Sequence, residues 1–283
     1  MSSVADARPV AAEVERYLEL GLRLGRHVDG FVDAYYGPAA LADRVASEPV
    51  TPAALLAEDA ARLVADLDGG AGHELGADRR RWIRAQTVGL HTSARKLAGE
   101  AIGYADEVEL CYGVRPWFRP EEQFEEAQRL LDEVLPGSGP VAERYATWRE
   151  AQAVPPELLE RAIQSLAEDF RSRTDVLFGL PDGEHVEWEL ATEKPWSGFN
   201  YYEGGLRSRV AINVDLPVLA TSLGHLVAHE AYPGHHTEHT RKEVGLVRER
   251  DHLEETIFLV GTPQCLLAEG LADLGLEVIL GPD

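Results

Sequence analysis

Apolar positions in the first 180 residues recur with the spacing of amphipathic helices. Val14, Leu18 and Leu22 fall on one stripe of a helix that the pattern predicts from Val10 to Leu24. Proline or glycine marks the ends of the helices that follow. These are predicted from Thr51 to Leu67, from Asp78 to about Val108, from Arg119 to Pro136, and from Pro155 to Gly179. This half of the chain is therefore predicted to be helical.

The pattern changes after Gly183. Val186, Trp188 and Leu190 alternate with charged residues, which is typical of a half-buried strand. Two further strands are predicted over Phe199–Tyr202 and Leu206–Val214, with Gly204 and Gly205 as the turn between them.

Two more helices are predicted after these strands, one from Leu216-Pro217 and one from Thr262-Pro263. The order of elements predicts a mainly α fold in which a small β-hairpin or sheet precedes the helix that carries a histidine cluster. We predict a single domain over residues 1–283, with a helical half (1–179) and a half that mixes strands and helices (180–283).

The composition excludes several classes of partner. The chain has 27 Lys and Arg against 49 Asp and Glu, a formal net charge of -22, which argues against nucleic acid and anionic membranes. No uncharged run is long enough to span a bilayer, and the segment Met1–Asp6 lacks the features of a signal peptide, so a cytoplasmic location is predicted. Cys111 and Cys265 lie in apolar surroundings and are predicted to be two buried thiols.

The candidate chemistry lies in the histidine cluster. Six of the ten histidines fall between His225 and His252, and three of them belong to the segment His229-Glu230-Ala231-Tyr232-Pro233-Gly234-His235-His236. Neutral imidazoles bind zinc well, and a carboxylate beside a ligand can take a proton from a water that the metal activates. The cluster therefore predicts a metal site with Glu230 as the base.

The spacing of the histidines departs from that of a standard zincin helix, which has two histidines four residues apart. Here the fourth residue after His229 is Pro233, which cannot bind a metal. On an unbroken helix, His235 would point away and His236 would lie about 10 Å further on. Pro233-Gly234 therefore predicts a bulge or kink that returns a later histidine to the metal. We prefer His235 as the ligand, and His236 stays as the alternative.

Two further residues could complete the site. Glu269, with apolar neighbours and a glycine after it, is expected on a buried helix packed closely on another, as the third ligand. Asp273, one turn on, could orient a ligand histidine or be surface. A rival ligand pair is His225 with His229, four residues apart; we favour His229 as the first ligand because Glu230 is then better placed.

These residues resemble the signature of the bacterial family called domain of unknown function 885, whose members look like zincin-type metallopeptidases of mostly helical fold. The resemblance rests on the eight residues from His229 and on Glu269-Gly270-Leu271-Ala272, and covers about residues 190 to 280. It implies that the second helix supplies the third ligand, as in gluzincins. Thr237-Glu238 replaces the Leu-Gln that is frequent in the family. The resemblance also implies further helices after the Glu-Gly segment, so a chain that stops at Asp283 is expected to lack part of its cleft.

The function predicted from these residues is zinc-dependent hydrolysis of a peptide or similar amide, with one zinc per chain. His229, His235 and Glu269 hold the metal, and Glu230 acts as general base and then as acid.

Other residues are candidates for contacts with the substrate. His236 or Tyr232 could donate to the developing oxyanion, and further candidates for substrate binding are Tyr201, Tyr202 and Arg207. The stretch from Arg209 to Val214 could accept a peptide as an added strand.

Two alternatives stay open at this point. One is a non-catalytic helical protein with a closed structural metal site that uses both His235 and His236. The other is a metallohydrolase of non-peptide amides or esters. The sequence does not identify an oligomeric state.

Overall fold

The computed structural model describes residues 10–281, so the segment on which the absence of a signal peptide was predicted lies outside the described residues. The helices are α1 (Ala12–Gly25), α2 (Ala39–Ser47), α3 (Ala53–Asp68), α4 (Ala77–Leu97), α5 (Tyr104–Tyr112), α6 (Glu121–Val134), α7 (Val141–Ala151), α8 (Pro156–Phe178), α9 (Ala220–Glu230), α10 (His235–Lys242) and α11 (Pro263–Leu280). The strands are β1 (Val32–Tyr35), β2 (His185–Ala191), β3 (Gly198–Gly204), β4 (Arg207–Asn213) and β5 (Ile257–Leu259).

The described residues form two compact units. The first comprises residues up to 115 together with 202–206 and 239–270. Its core is an apolar cluster from α1, α3, α4 and β5, built on Val14, Leu18, Leu56, Leu63, Ile83, Leu90, Ile257 and Leu259. The short strand β1 pairs antiparallel with β5, so that Tyr35 lies opposite Ile257. Helical packing therefore dominates this unit.

The second unit comprises residues 116–201 and 207–238 and those from 271 onward. Its sheet has the strand order β2-β4-β3, and β2 runs parallel to β4 with His185 opposite Arg207. Helices α8 and α9 share an apolar cluster with β4, built on Leu159, Ile163, Phe170, Val210, Ile212, Leu223 and Val227. This packing holds α9, the helix that carries the first histidines, beside the sheet.

The predicted fold class is confirmed, because the protein is mainly helical and its three-stranded sheet precedes α9. The predicted long helix from Asp78 to about Val108 is wrong. Gly99, with a φ of 94°, ends α4, and Glu100 N–H donates to the Arg95 carbonyl, so the chain reverses before α5. Each compact unit contains residues from both halves of the division predicted at residue 180.

The cysteines and the helices bear on two further predictions. Cys111 is buried, Cys265 is half-buried, and neither forms a disulfide within residues 10–281. Among the helices of this described part of the chain, none combines the length and the apolar character needed to cross a membrane.

Candidate metal centre

The segment between α9 and α10 confirms the predicted break in the helix. Helix α9 ends at Glu230 and α10 begins at His235. Gly234 N–H donates to the Ala228 carbonyl at 2.9 Å, so the chain folds back onto the last turn of α9. A Cβ atom at Gly234 would lie 1.8 Å from the His229 carbonyl oxygen, a distance that no side chain can occupy. Only glycine allows this close approach.

The fold-back brings the imidazoles of His229 and His235 together. Their Nε2 atoms lie 3.2 Å apart, and donor atoms of His229, His235 and Glu269 all lie within 4.8 Å of one another. Two nitrogens bound tetrahedrally to one zinc at about 2.0–2.1 Å are roughly 3.3 Å apart. The nitrogen pair is therefore spaced as a zinc site requires, and the ring that approaches His229 is that of His235.

Glu269 differs from its expected environment. Its side chain is exposed, as are those of Leu266, Leu267 and Leu271 around it, and a Cβ atom at Gly270 would meet nothing within 4 Å. The expectation of a buried helix packed closely at this glycine is therefore wrong. An exposed carboxylate can be reached by a cation that arrives from solvent.

A second group of donors shares His229. The ligand atoms of His225, His229 and Asp273 also lie within 4.8 Å of one another. Asp273 Oδ1 is 3.1 Å from His229 Nδ1 and 3.7 Å from His225 Nε2. His229 therefore has a carboxylate near Nδ1 and an imidazole near Nε2.

The carboxylate of Glu230 lies beside the first residue of strand β3. Glu230 is buried, with 6% of its surface exposed, and its backbone carbonyl accepts a hydrogen bond of 2.6 Å from Asn200 Nδ2. A Cβ atom at Gly198 would lie 3.0 Å from Glu230 Oε1. Glycine at this position therefore lets the strand pass directly beside the candidate base.

The position of β3 corrects one expectation about the substrate. The stretch from Arg209 to Val214 was expected to accept an added peptide strand, but β4 is the central strand of the sheet, with a neighbour on each side. Its backbone is already paired. Strand β3 is at an edge of the sheet and begins beside Glu230.

His236 belongs to a buried polar network. Its side chain is fully buried, with Nδ1 2.8 Å from Ser208 Oγ and Nε2 2.8 Å from Glu184 Oε2. Tyr232 donates to the same carboxylate at 2.7 Å, and Arg171 donates to its other oxygen at 2.6 Å. The polar atoms of His236 and Tyr232 face partners inside the fold. This geometry disfavours both as oxyanion donors, and it disfavours His236 as a metal ligand.

The network has a defined protonation state. Burial alone would raise the pKa of Glu184, but hydrogen bonds from His236 and Tyr232 outweigh burial and lower this pKa to about 2. Burial lowers the pKa of His236. An ionised Glu184 accepts from Nε2–H, and a neutral His236 then accepts from the Ser208 hydroxyl at Nδ1. Every member of the network is satisfied.

The ionised Glu184 predicts a pH-dependent stability. Its pKa is lower in the folded protein than the ordinary 4.5, so its stabilisation is complete above pH 4.5 and is lost as the pH falls toward 2. Replacing Glu184 by Gln should lower the free energy of unfolding at pH 7 by about 3 kcal/mol. Urea unfolding of both proteins from pH 7 to pH 3.5 tests this. The difference should shrink below pH 4.5, and a difference independent of pH would contradict the assignment.

The predicted substrate residues have unequal exposure. Tyr202 is buried and donates its hydroxyl to Glu243 at 2.6 Å, so the expectation that it binds substrate does not fit its position. Tyr201 is half-buried, with its ring 4.6 Å from that of Phe199 and the Arg209 guanidinium 4.1 Å from its centre. Arg207 is exposed at the start of β4. Tyr201 and Arg207 are thus accessible, and Tyr202 is structural.

Several residues around the site were missed in the sequence. Glu184 lies in a turn, Ser208 on β4, and Gly198 and Asn200 on β3. None of them has a local signal, because each acts through a contact with a residue at least 28 positions away. Only a three-dimensional structure could find them.

Comparisons with protein-family models, with curated proteins and with solved structures found no match for this chain. The assignment of function therefore rests on the geometry of the site.

Proposed function

We propose that this protein is a zinc-dependent hydrolase that cleaves a peptide or similar amide bond, as the zincin-type family it resembles is expected to do. The observation that carries the proposal is the pair of imidazole Nε2 atoms, of His229 and His235, which lie 3.2 Å apart. A carboxylate oxygen of Glu269 lies within 4.8 Å of ligand atoms of both histidines, and the next residue after His229 is the buried Glu230. A purely structural zinc site has no need of a carboxylate in that position.

The donor set fits zinc. Two imidazoles and one carboxylate are the protein ligands of many catalytic zinc sites, and a fourth position is then left for solvent or substrate. His229, His235 and Glu269 would hold the ion, with Asp273 orienting His229 through Nδ1. When bound, zinc polarises a carbonyl and makes a water more acidic.

Glu230 would move the protons. Its carboxylate accepts a proton from the attacking water and passes it to the leaving nitrogen as the C–N bond breaks. Its carboxylate is buried, and the close approach of Gly198 fixes its position. An extended substrate alongside β3, an outer strand of the sheet, would present its amide beside this group.

The structural alternative receives less support. A closed four-ligand site was expected to use both His235 and His236, but both nitrogens of His236 already face Ser208 and Glu184. Hydrolysis of a non-peptide amide or ester uses the same groups as hydrolysis of a peptide, and a panel of acylated peptides, acyl amides and esters separates the two.

Metal content in four variants tests the ligand set. Wild-type protein, loaded with zinc and desalted, should hold about one zinc per chain by plasma mass spectrometry. His235→Ala and Glu269→Ala should lose it, because each removes a ligand, and zinc affinity should fall at least a hundredfold. His225→Ala and Asp273→Asn should retain zinc, with at most the 10- to 100-fold weakening expected of an orienting residue.

The reverse outcome would contradict the proposed ligands. If His225→Ala and Asp273→Asn lose the metal while His235→Ala keeps it, the metal site is instead the group His225, His229 and Asp273. No zinc uptake by the wild-type protein would overturn the hydrolase proposal itself.

A further inference from the structure

A cavity in the second unit adjoins the candidate base. Its volume is about 430 Å³, within the range of roughly 300–1,000 Å³ of small-molecule sites. Ser222 and Leu226 of α9 form part of its wall. Glu230 follows them at the same four-residue spacing, so the three residues share one face of the helix. The cavity therefore ends one helical turn, roughly 6 Å, from the carboxylate of Glu230.

Strand β3 joins the cavity wall to the base. A Cβ atom at Gly198 would lie 2.8 Å from Leu226 Cδ1 and 3.0 Å from Glu230 Oε1. This one position of β3 thus borders both the cavity wall and the carboxylate. A substrate whose scissile amide lies beside Glu230 would have its next side chain over this cavity, because one residue of extended chain spans roughly 3.3 Å and a side chain reaches further.

The lining combines an apolar surface with two cations. Leu226, Val218 and the ring of Trp196 provide apolar surface, and Arg149 and Lys194 provide the positive charges. Within residues 10–281, neither cation has a carboxylate oxygen within 4.0 Å; they lie instead near the rings of Tyr145 and Trp196. Such cations are available to a ligand, in a chain whose formal net charge is -22.

The loop that presents Lys194 and Trp196 is fixed in place. Asn213 Nδ2 donates to the carbonyls of both residues at 2.9 Å. Asp215 Oδ2, which also lines the cavity, accepts from the backbone N–H groups of Glu193 at 2.8 Å and Lys194 at 3.3 Å. The one carboxylate of the lining is therefore already hydrogen-bonded to the backbone, and the loop is held for binding.

We propose that this cavity binds the C-terminal residue of the substrate, with its apolar side chain against Leu226 and Trp196 and its free carboxylate at Arg149 and Lys194. This inference rests on the proposed function and specifies its substrate class: short peptides or acylated amino acids with a large apolar C-terminal residue. Water would add to the scissile carbonyl carbon, and the C–N bond would then break. The leaving group is the amino nitrogen of the residue that occupies the cavity.

Binding measured without catalysis tests the cavity. Isothermal titration of metal-free protein compares N-acetyl-leucine, its amide and N-acetylglycine. N-acetyl-leucine should bind at least tenfold more tightly than either of the other two.

In the double variant Arg149→Ala/Lys194→Ala the preference for the acid over the amide should fall below twofold. Ser222→Phe, which fills the cavity from its exposed rim, should weaken binding of acid and amide alike. Lys96→Ala, at a lysine paired with Glu107, is the control and should change nothing.

Hydrolysis measurements separate this inference from the proposed function. If the zinc-loaded protein cleaves peptides but treats free and amidated C-termini alike, the cavity proposal fails and the hydrolase stands. If the acid preference in binding is found and is lost in the double variant, the cavity proposal holds even where no peptide is cleaved. Equal binding of acid and amide by the wild-type protein would overturn it.

Discussion

Replacing Glu230 by Gln should leave one zinc per chain in place and reduce kcat/KM for amide hydrolysis by a factor of about 10²–10⁴, the usual contribution of a general base. Glutamine has the same shape but accepts no proton at neutral pH. The Asn200 hydrogen bond goes to the backbone carbonyl of residue 230, so the substitution does not remove it. Metal content and steady-state kinetics on the same preparation check both halves of the prediction.

Two further variants control for charge and for position. Glu277→Gln removes an exposed carboxylate on α11 and should leave kcat/KM unchanged. Gly198→Ala keeps the Glu230 carboxylate but places a methyl group within 3.0 Å of it, so kcat should fall with no loss of zinc. If Glu230→Gln hydrolyses amides at the wild-type rate, the carboxylate is not the base.

Gly234→Ala should abolish zinc binding and lower the free energy of unfolding by about 4 kcal/mol or more, at the upper end for single substitutions. The methyl group would lie 1.8 Å from the His229 carbonyl oxygen and 2.5 Å from that of Ala228. Both neighbours are backbone atoms, so no change of rotamer relieves the clash. The loop must move, and His235 moves with it away from His229.

The control for this variant is Gly270→Ala. Gly270 adjoins Glu269 on α11, and a Cβ atom there meets nothing within 4 Å. Alanine should keep the zinc and raise helix stability by roughly 0.5–1 kcal/mol. Urea unfolding in EDTA measures the stabilities apart from the metal, and plasma mass spectrometry measures the zinc. A Gly234→Ala protein with wild-type stability and a full complement of zinc would contradict the fold-back.

The break in the motif was predictable because its cause is local. Pro233 cannot continue a helix, and Gly234 tolerates a backbone approach that no other residue allows. The helices α1, α3 and α8 were predictable for a similar reason, since each buries one stripe of its own sequence. In these cases the information needed lies within a few residues of the feature.

The unpredicted features depend on contacts between distant residues. Strands β1 and β5 have four and three residues, and each is stabilised by a partner more than 220 positions away, so no periodic pattern marks them. The network of Glu184, Ser208 and His236 is of the same kind. His236 is adjacent to a candidate ligand in sequence, but the turn at Glu184 determines where its ring points.

The prediction of Glu269 as a ligand rested partly on an expectation of burial that is wrong. Its apolar neighbours indicated burial, but Leu266, Leu267 and Leu271 are themselves exposed. An apolar sequence therefore does not establish which face of this helix is covered. The helix predicted from Thr262-Pro263 is confirmed, because α11 begins at Pro263 and carries Glu269.

The fold-back at Gly234 also bears on the order in which the protein matures. Two backbone hydrogen bonds, from Gly234 to Ala228 and from Thr237 to Ala231, hold the start of α10 against the end of α9. The backbone thus preorganises the two imidazoles, which lowers the conformational entropy that binding of an ion between them would cost. If the proposed zinc site is correct, we therefore expect the chain to fold first and to acquire the metal afterwards, so that a cell short of zinc would accumulate a folded, inactive protein that a later supply of the metal could switch on.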